Sequence, residues 1–285
     1  MIIVADSGST KTSWAVLNNA DEPQLFSTEG YNPYYVDSDY IQQSIRRNFS
    51  HHVETDKVEQ LYFYGAGCAG GKDEIVKIAL AAIFTKATIV IASDLLAAAK
   101  SILGDNEGFI SILGTGTNTG IHSKGEIITQ VNSLGFLLGD EGSGAYLGKR
   151  LLSHFARRAL PIELMEAFEK EYNLTPALVV PTFYDAQLQN RYSAQFTIFL
   201  AKHIEHSDIK KLVKKAFSDF FEHIVCLYPN YRAYSLNCVG SIGANFSDQL
   251  REVADTYGMQ VGQINKSPME GLIAYHQTLC AKVGL

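Results

Sequence analysis

Between the apolar runs Met1 to Val4 and Ala15 to Leu17 lies Asp6-Ser7-Gly8-Ser9-Thr10-Lys11-Thr12, which puts an acid, a glycine, several hydroxyls and an amine into one turn. A pair such as Asn-Gly would reverse the chain with far less. Glycine and small hydroxyl residues let backbone N–H groups approach phosphate oxygens, while Ser9, Thr10 and Thr12 add donors and Lys11 adds positive charge. Asp6 works against that charge, and a carboxylate beside a polyphosphate is tolerable when a divalent cation lies between them. A second stretch of the same character, Gly114-Thr115-Gly116-Thr117-Asn118, follows a hundred-odd residues later. Nucleotide with magnesium is the simplest ligand that satisfies both. Taken alone, the first turn reads equally well as an ordinary polar hairpin.

The elements that must position these residues come in a repeating order. Residues 2–6, 12–18 and 24–29 read as strands, with a helix after Asp37-Ser38-Asp39 running from Tyr40 to Phe49. Leu61 to Tyr64 reads as a strand, followed by a helix over 73–85, a strand from Ala87 to Ala92 and a helix from Asp94. The order then restarts, with strands at 109–113, 119–122 and 127–131. A long helical region from Ser143 to about Phe221 precedes a strand at 236–240, a helix near 246–256, a strand at 259–264 and a last helix from Pro268. Laying Asp6 on Gly114, an offset of 108, pairs Gly8 with Gly116 and Ser9 with Thr117. The expectation is a duplicated α/β lobe, residues 1–105 and 106–285, divided near the turn-forming Leu103-Gly104-Asp105-Asn106. A helical insertion falls in the second lobe, and the last helix is a candidate to pack back on the first.

Composition sets limits. With 285 residues, 46% hydrophobic and 19% charged, the chain can bury two cores. A net charge of −6 argues against a sequence-independent hold on nucleic acid. The apolar start is too short and lacks the basic flank of a signal peptide, so the expectation is a cytoplasmic protein with no membrane partner. Cys68, Cys226, Cys238 and Cys280 form no CxxC pair and read as free thiols.

Four segments in order, "DSGSTKT" at 6–12, "LGTGTN" at 113–118, "GDEGSGAYLG" at 139–148 and "VGSIGANF" at 239–246, resemble the phosphate-1, phosphate-2, sugar-side and adenosine motifs of the N-acetylglucosamine kinase-like, BadF/BadG-type ATPases. The family usually has glycine where this chain has Ser7 and Ser9, and serine at Thr117. The resemblance implies two ribonuclease H-like lobes of the actin-like ATPase fold with a cleft between them. It also implies ATP and Mg2+ as cofactors and an ATP-dependent transfer of phosphate to the 6-hydroxyl of N-acetylglucosamine. Asp6 would organise the magnesium. Gly8, Ser9, Thr10, Lys11 and Thr12 would hold phosphates together with Gly114, Thr115 and Gly116, and Gly240, Ser241 and Gly243 would border the adenosine. Asn32, Thr117 and Asp140 would line the sugar, with Glu141 close by. A small-molecule amino sugar and ATP are the expected partners, and homodimers are common in such enzymes. Asp94 would be the general base toward the sugar hydroxyl, a role that phosphoryl transfer asks of an aspartate; outside that context it reads as a helix cap.

Other readings stay open. Tyr34 and Tyr35 offer rings to a sugar, or simply serve the fold. "GAGCAG", Gly65 to Gly70, is a literal G-x-G-x-x-G after a strand, with Asp94 at the end of the next one, and so permits an NAD-dependent oxidoreductase. Relatives that activate dehydratases through an iron-sulfur cluster need closely spaced cysteines, which are missing here. A sugar sensor or nucleotide-binding protein without turnover is the third alternative.

Overall fold

A computed structural model describes residues 1–18, 22–49, 53–68 and 70–283, with side chains described as far as Leu279. Ten strands and thirteen α-helices follow one another through the described residues. The first series is β1 (Ile2–Ser7), β2 (Lys11–Leu17), β3 (Gln24–Glu29), α1 (Ser38–Phe49), β4 (Gln60–Gly65), α2 (Asp73–Ala81), β5 (Thr88–Ser93) and α3 (Asp94–Leu103). The second opens with β6 (Gly108–Leu113), β7 (Thr117–Ser123), β8 (Glu126–Thr129), α4 (Gly135–Leu138) and α5 (Gly144–Ala156). It continues through α6 (Ile162–Tyr172), α7 (Val179–Asp185), α8 (Gln189–Ala194), α9 (Thr197–Lys202) and α10 (Ser207–His223). It closes with β9 (Leu236–Val239), α11 (Ser241–Asn245), α12 (Ser247–Thr256), β10 (Val261–Asn265) and α13 (Met269–Val283).

The sheets have matching orders, β3-β2-β1-β4-β5 and β8-β7-β6-β9-β10. In the first, β1 runs antiparallel to β2 and parallel to β4, and β4 runs parallel to β5. Two compact units result: residues 1–107, 122–128 and 267–285 form one, and residues 108–121 and 129–266 the other.

In the first unit β1 is central, and its side chains alternate between two cores, as a strand's period of two requires. Ile3 and Ala5 join Trp14, Phe63 and the α1 residues Ile41, Ile45 and Phe49 on one face. Ile2 and Val4 join Ala15, Tyr64, Ala97 of α3 and Leu272 of α13 on the other. Covered on both faces, β1 has its polar residues only at its C-terminal end, where Asp6 and Ser7 begin the turn. The second unit buries β6, β9, α5 and α10 around Phe109, Leu151, Phe217 and Phe220.

One expectation is corrected. The strand bounds place the repeat at an offset of 106, because Ile2–Ser7 corresponds to Gly108–Leu113 and Lys11–Leu17 to Thr117–Ser123. Gly8 therefore matches Gly114, and Asp6 matches Ile112, so the acid has no counterpart in the second unit. A slip of two residues preserves the inward and outward alternation of a strand, and alternation alone cannot detect it. The helical region expected from Ser143 to about Phe221 consists of six α-helices, α5 to α10. Asn173 in the left-handed region at φ 48° ends α6, and Pro176 then starts a short 3-10 turn.

Candidate functional site

The first turn is shaped by hidden hydroxyls. Ser7 and Thr12 are fully buried, with their oxygens 2.7 Å apart. Thr12 Oγ1 donates to the Glu29 carbonyl at 2.9 Å, and Ser7 Oγ accepts the Tyr31 N–H at 3.0 Å. Thr12, expected to add a phosphate donor, is thus turned inward and spent on holding β2 to the end of β3. The Gly8 N–H donates to the Lys11 carbonyl at 2.9 Å, closing the turn. Gly30 lies so close behind it that a Cβ there would stand 2.4 Å from the Gly8 carbonyl oxygen. That constraint was missed in the sequence, although Gly30 directly precedes the "YNPYY" segment. Thr10 and Lys11 are left exposed.

Asp6 is the penultimate residue of β1 and Asp94 follows β5, so both carboxylates lie at the C-terminal ends of strands of one sheet. Burial, and then the charge of Asp94, push the Asp6 carboxyl up to about 7, with Lys11 pulling the other way. A desolvated carboxylate next to a second one is short of positive charge, and the set fits a divalent cation held at Asp6. Asp94 is the first residue of α3 and not its N-cap. Ser93 is the N-cap, accepting the Leu96 N–H at 3.2 Å, while Asp94 Oδ1 accepts the Leu95 N–H at 2.8 Å.

Asn32 is buried and turns both ends of its amide to account. Its Nδ2 donates to Ser9 Oγ at 3.0 Å, and its Oδ1 accepts the Tyr34 N–H at 3.0 Å in an Asx-type turn. A Cβ at Gly67, which has φ 78°, would stand 2.5 Å from Asn32 Oδ1. The glycine of "GAGCAG" therefore makes room for Asn32, and a Cβ at Gly65 would meet Cys68 Sγ at 2.6 Å. Ala69 of that motif lies outside the described residues. Tyr34 and Tyr35 are both exposed. Burial pushes the Cys68 and Cys238 thiols up to about 12, so neither is a ready thiolate. Cys226 is half-buried and free, and the Cys280 side chain lies outside the described residues.

In the second unit, the turn after β6 is tied to the start of α5. The Gly114 N–H donates to the Gly116 carbonyl at 3.1 Å. The Gly144 and Ala145 N–H groups donate to the Gly114 and Thr115 carbonyls at 2.8 and 3.0 Å. Asp140 Oδ1 accepts the Thr117 N–H at 3.2 Å, and Thr117 Oγ1 donates to the Glu141 carbonyl at 2.7 Å. Thr117, expected beside the sugar, is buried and uses its hydroxyl to bind the turn to the "GDEGSG" loop. Asp140 is buried at φ 59°, a left-handed conformation that aspartate tolerates better than most residues. Desolvation raises its carboxyl, opposed by the Thr117 N–H, Ser133 and Lys149. Lys149 on α5, absent from the sequence reading, donates to the Phe136 carbonyl and lies 4.4 Å from the centre of its ring, anchoring α4 before Asp140.

Gly240 has φ 131°, and a Cβ there would stand 2.2 Å from the Leu113 carbonyl oxygen. A Cβ at Gly243 would meet Cys238 Sγ at 2.4 Å. Both glycines let α11 sit against the ends of β6 and β9, and Ser241 is left exposed at the helix start. Among the described residues, the turn 114–116, the starts of α5 and α11, and Asp140 come together around the end of β6.

Two five-stranded mixed sheets of matching order, with acids and glycine turns at strand ends, define the actin-like ATPase fold. No protein-family model and no curated protein matches the chain. Among solved structures, it resembles a candidate N-acetylglucosamine kinase from Porphyromonas gingivalis at 36% identity and a TM-score of 0.93, covering 98% of this chain and 99% of that one. A candidate N-acetylglucosamine kinase from Chromobacterium violaceum matches at 16% identity and a TM-score of 0.72, over 96% and 98% of the two chains. A ROK-family glucokinase from Streptomyces griseus, solved with glucose and AMPPNP, matches at 12% identity and 0.62, over 97% and 98%. The last two are likenesses of fold. The chain belongs to the N-acetylglucosamine kinase-like, BadF/BadG-type family of actin-like ATPases.

No helix among the described residues is long and apolar enough to cross a membrane.

Proposed function

We propose that the protein is an ATP-dependent amino-sugar kinase that transfers the γ-phosphate of ATP to the 6-hydroxyl of N-acetylglucosamine in the cytoplasm. The observation that carries this reading is Asp94, a carboxylate directly after the end of β5, on the same sheet as Asp6 and close enough to raise the Asp6 pKa, with the N-cap of its helix supplied by Ser93. The full-length likeness to a candidate N-acetylglucosamine kinase supports it, and the choice of hydroxyl follows from the family.

In this reading Asp94 accepts the proton of the attacking hydroxyl, and the remaining residues position charge. Asn32, already oriented by Ser9 and the Tyr34 N–H, presents its amide to the sugar. Asp140, oriented by the Thr117 N–H, receives sugar hydroxyls. The backbone N–H groups of Ser9 and Thr10 and of Thr115 and Gly116, with the Thr10 and Thr115 hydroxyls, meet phosphate oxygens, while the Gly8 and Gly114 N–H groups close their turns. Ser241, with the bare backbone of Gly240 and Gly243, borders the adenosine. Magnesium bound at Asp6, directly or through water, supplies charge compensation for the phosphates.

The test is ATP consumption over a panel of N-acetylglucosamine, glucosamine, N-acetylmannosamine and glucose, with NADH binding measured in parallel. Turnover is expected with an amino sugar and strongest with N-acetylglucosamine. ATP binding without turnover on any sugar would favour a sensor, and NADH binding without ATP binding would favour an oxidoreductase.

A further inference from the structure

The facing surfaces of α3 and α13 carry a polar cluster that the proposed reaction does not use. The helices touch most closely where a Cβ at Gly271 would stand 2.1 Å from the Ser101 carbonyl oxygen. Beside that crossing a cavity of about 340 Å³ opens, lined by Lys100, Asp105, Ala274, Tyr275 and Thr278 among others. Lys100 is half-buried there, with its ammonium 5.2 Å from the Tyr275 ring centre and 5.7 Å from that of Tyr64.

The ammonium has no ion pair among the described residues. Its one hydrogen bond among the described residues is a long one, 3.5 Å to Tyr64 Oη. The Tyr64 oxygen is shared with His276 Nε2 at 3.0 Å. Asp105 could have neutralised the lysine, but its Oδ1 accepts the Tyr275 hydroxyl at 2.9 Å, and no carboxylate among the described residues reaches ion-pairing distance of Lys100. Burial accordingly lowers the Lys100 pKa, with Asp105 opposing only by its charge at a distance. A cation held beside two aromatic rings at the wall of an open cavity, with no carboxylate pairing it among the described residues, leaves room for an anion.

From this geometry we infer that the α3–α13 cavity binds a small organic carboxylate, with its charge on Lys100 and a compact ring or short apolar body on the Tyr275 ring and the Ala274 wall. A carboxylate fits better than a phosphate monoester. Among the described residues Lys100 is the sole cation lining the cavity, the end of α3 presents carbonyls rather than N–H groups, and Asp105 would repel a dianion. The space falls within the range of small-molecule sites. The site belongs to the helix that begins at Asp94, so an occupant fixes the far end of the helix carrying the proposed base.

The probes are benzoate, its neutral isostere benzamide and inorganic phosphate, titrated calorimetrically into the full-length protein. Benzoate should bind saturably, with benzamide and phosphate at least tenfold weaker. Lys100→Met should weaken benzoate at least tenfold. Thr278→Trp, which keeps the charge and fills the cavity from an exposed position, should do the same. Thermal melting verifies that each variant is folded. Equal affinity for benzoate and benzamide, tighter binding of phosphate, or undiminished benzoate binding by a folded Thr278→Trp variant would each overturn the assignment. So would the absence of any benzoate heat at millimolar concentration.

Discussion

Ser93 accepts the Leu96 N–H at 3.2 Å and Asp94 accepts the Leu95 N–H at 2.8 Å, so two adjacent side chains hold the first turn of α3, and the second of them also carries the proposed chemistry. Asp94→Asn keeps an acceptor for the Leu95 N–H and leaves the cap untouched. The melting temperature should therefore move little. An amide cannot take a hydroxyl proton at neutral pH, and kcat should fall by about 10²–10⁴-fold with a much smaller change in sugar KM. Steady-state kinetics with saturating ATP reads both parameters, and a folded variant with wild-type kcat would return Asp94 to a structural role.

Asp6 makes a complementary prediction on the phosphate side. Asp6→Asn removes the charge proposed to hold magnesium and also relieves the repulsion from Asp94, so the metal-free variant should be at least as stable as the parent. Its activity should drop with every acceptor, and raising magnesium should recover part of it. Full activity at ordinary magnesium would remove Asp6 from the site.

How far the sequence carried this picture depended on what each residue's type constrains. The ten strands were legible because alternation and apolar runs report burial directly, and the glycine turns because their polar content exceeds what turning needs. The register of the repeat was not, since offsets of 106 and 108 alternate identically. Hydroxyl direction was equally hidden. Ser7 and Thr12 face inward while Thr10 is exposed, although all four residues of the turn with a hydroxyl look equivalent in sequence. Lys149 escaped because a lysine on a helix is ordinarily solvated, and only the fold brings it to the Phe136 carbonyl.

Gly240 and Ser241 separate packing from binding within one motif. Gly240→Ala must place a methyl near the Leu113 carbonyl at φ 131°, so it should destabilise the second unit by on the order of 2 kcal/mol or more. Ser241→Ala lies at an exposed helix start and should leave stability nearly unchanged while raising the KM for ATP severalfold, with the KM for sugar constant. Denaturant unfolding together with the two KM values checks the pair. A Ser241→Ala enzyme with an unaltered KM for ATP would take the adenosine away from α11.

His276 supplies the pH dependence. Its ring is buried beside Tyr62, its Nε2 meets the Tyr64 hydroxyl at 3.0 Å, and burial followed by the Lys100 charge lowers its pKa from 6.5 to about 4. Between those values the unfolded chain takes up a proton that the folded one refuses. The stability of the first unit should therefore be fully present above pH 6.5 and decline as the pH falls toward 4, by up to roughly 3 kcal/mol from this residue. Asp6 acts in the opposite direction, since its raised pKa costs stability as the pH climbs from 3.8 toward 7. The total curve therefore understates the histidine. His276→Gln isolates it, because glutamine can still accept from Tyr64 but does not titrate. Trp14, the single tryptophan, is buried in the first unit and reports its unfolding by fluorescence. The loss of stability between pH 6.5 and 4.5 should be smaller in the variant than in the parent. Parallel curves over that window would show that His276 protonates as readily in the folded protein as in the unfolded chain.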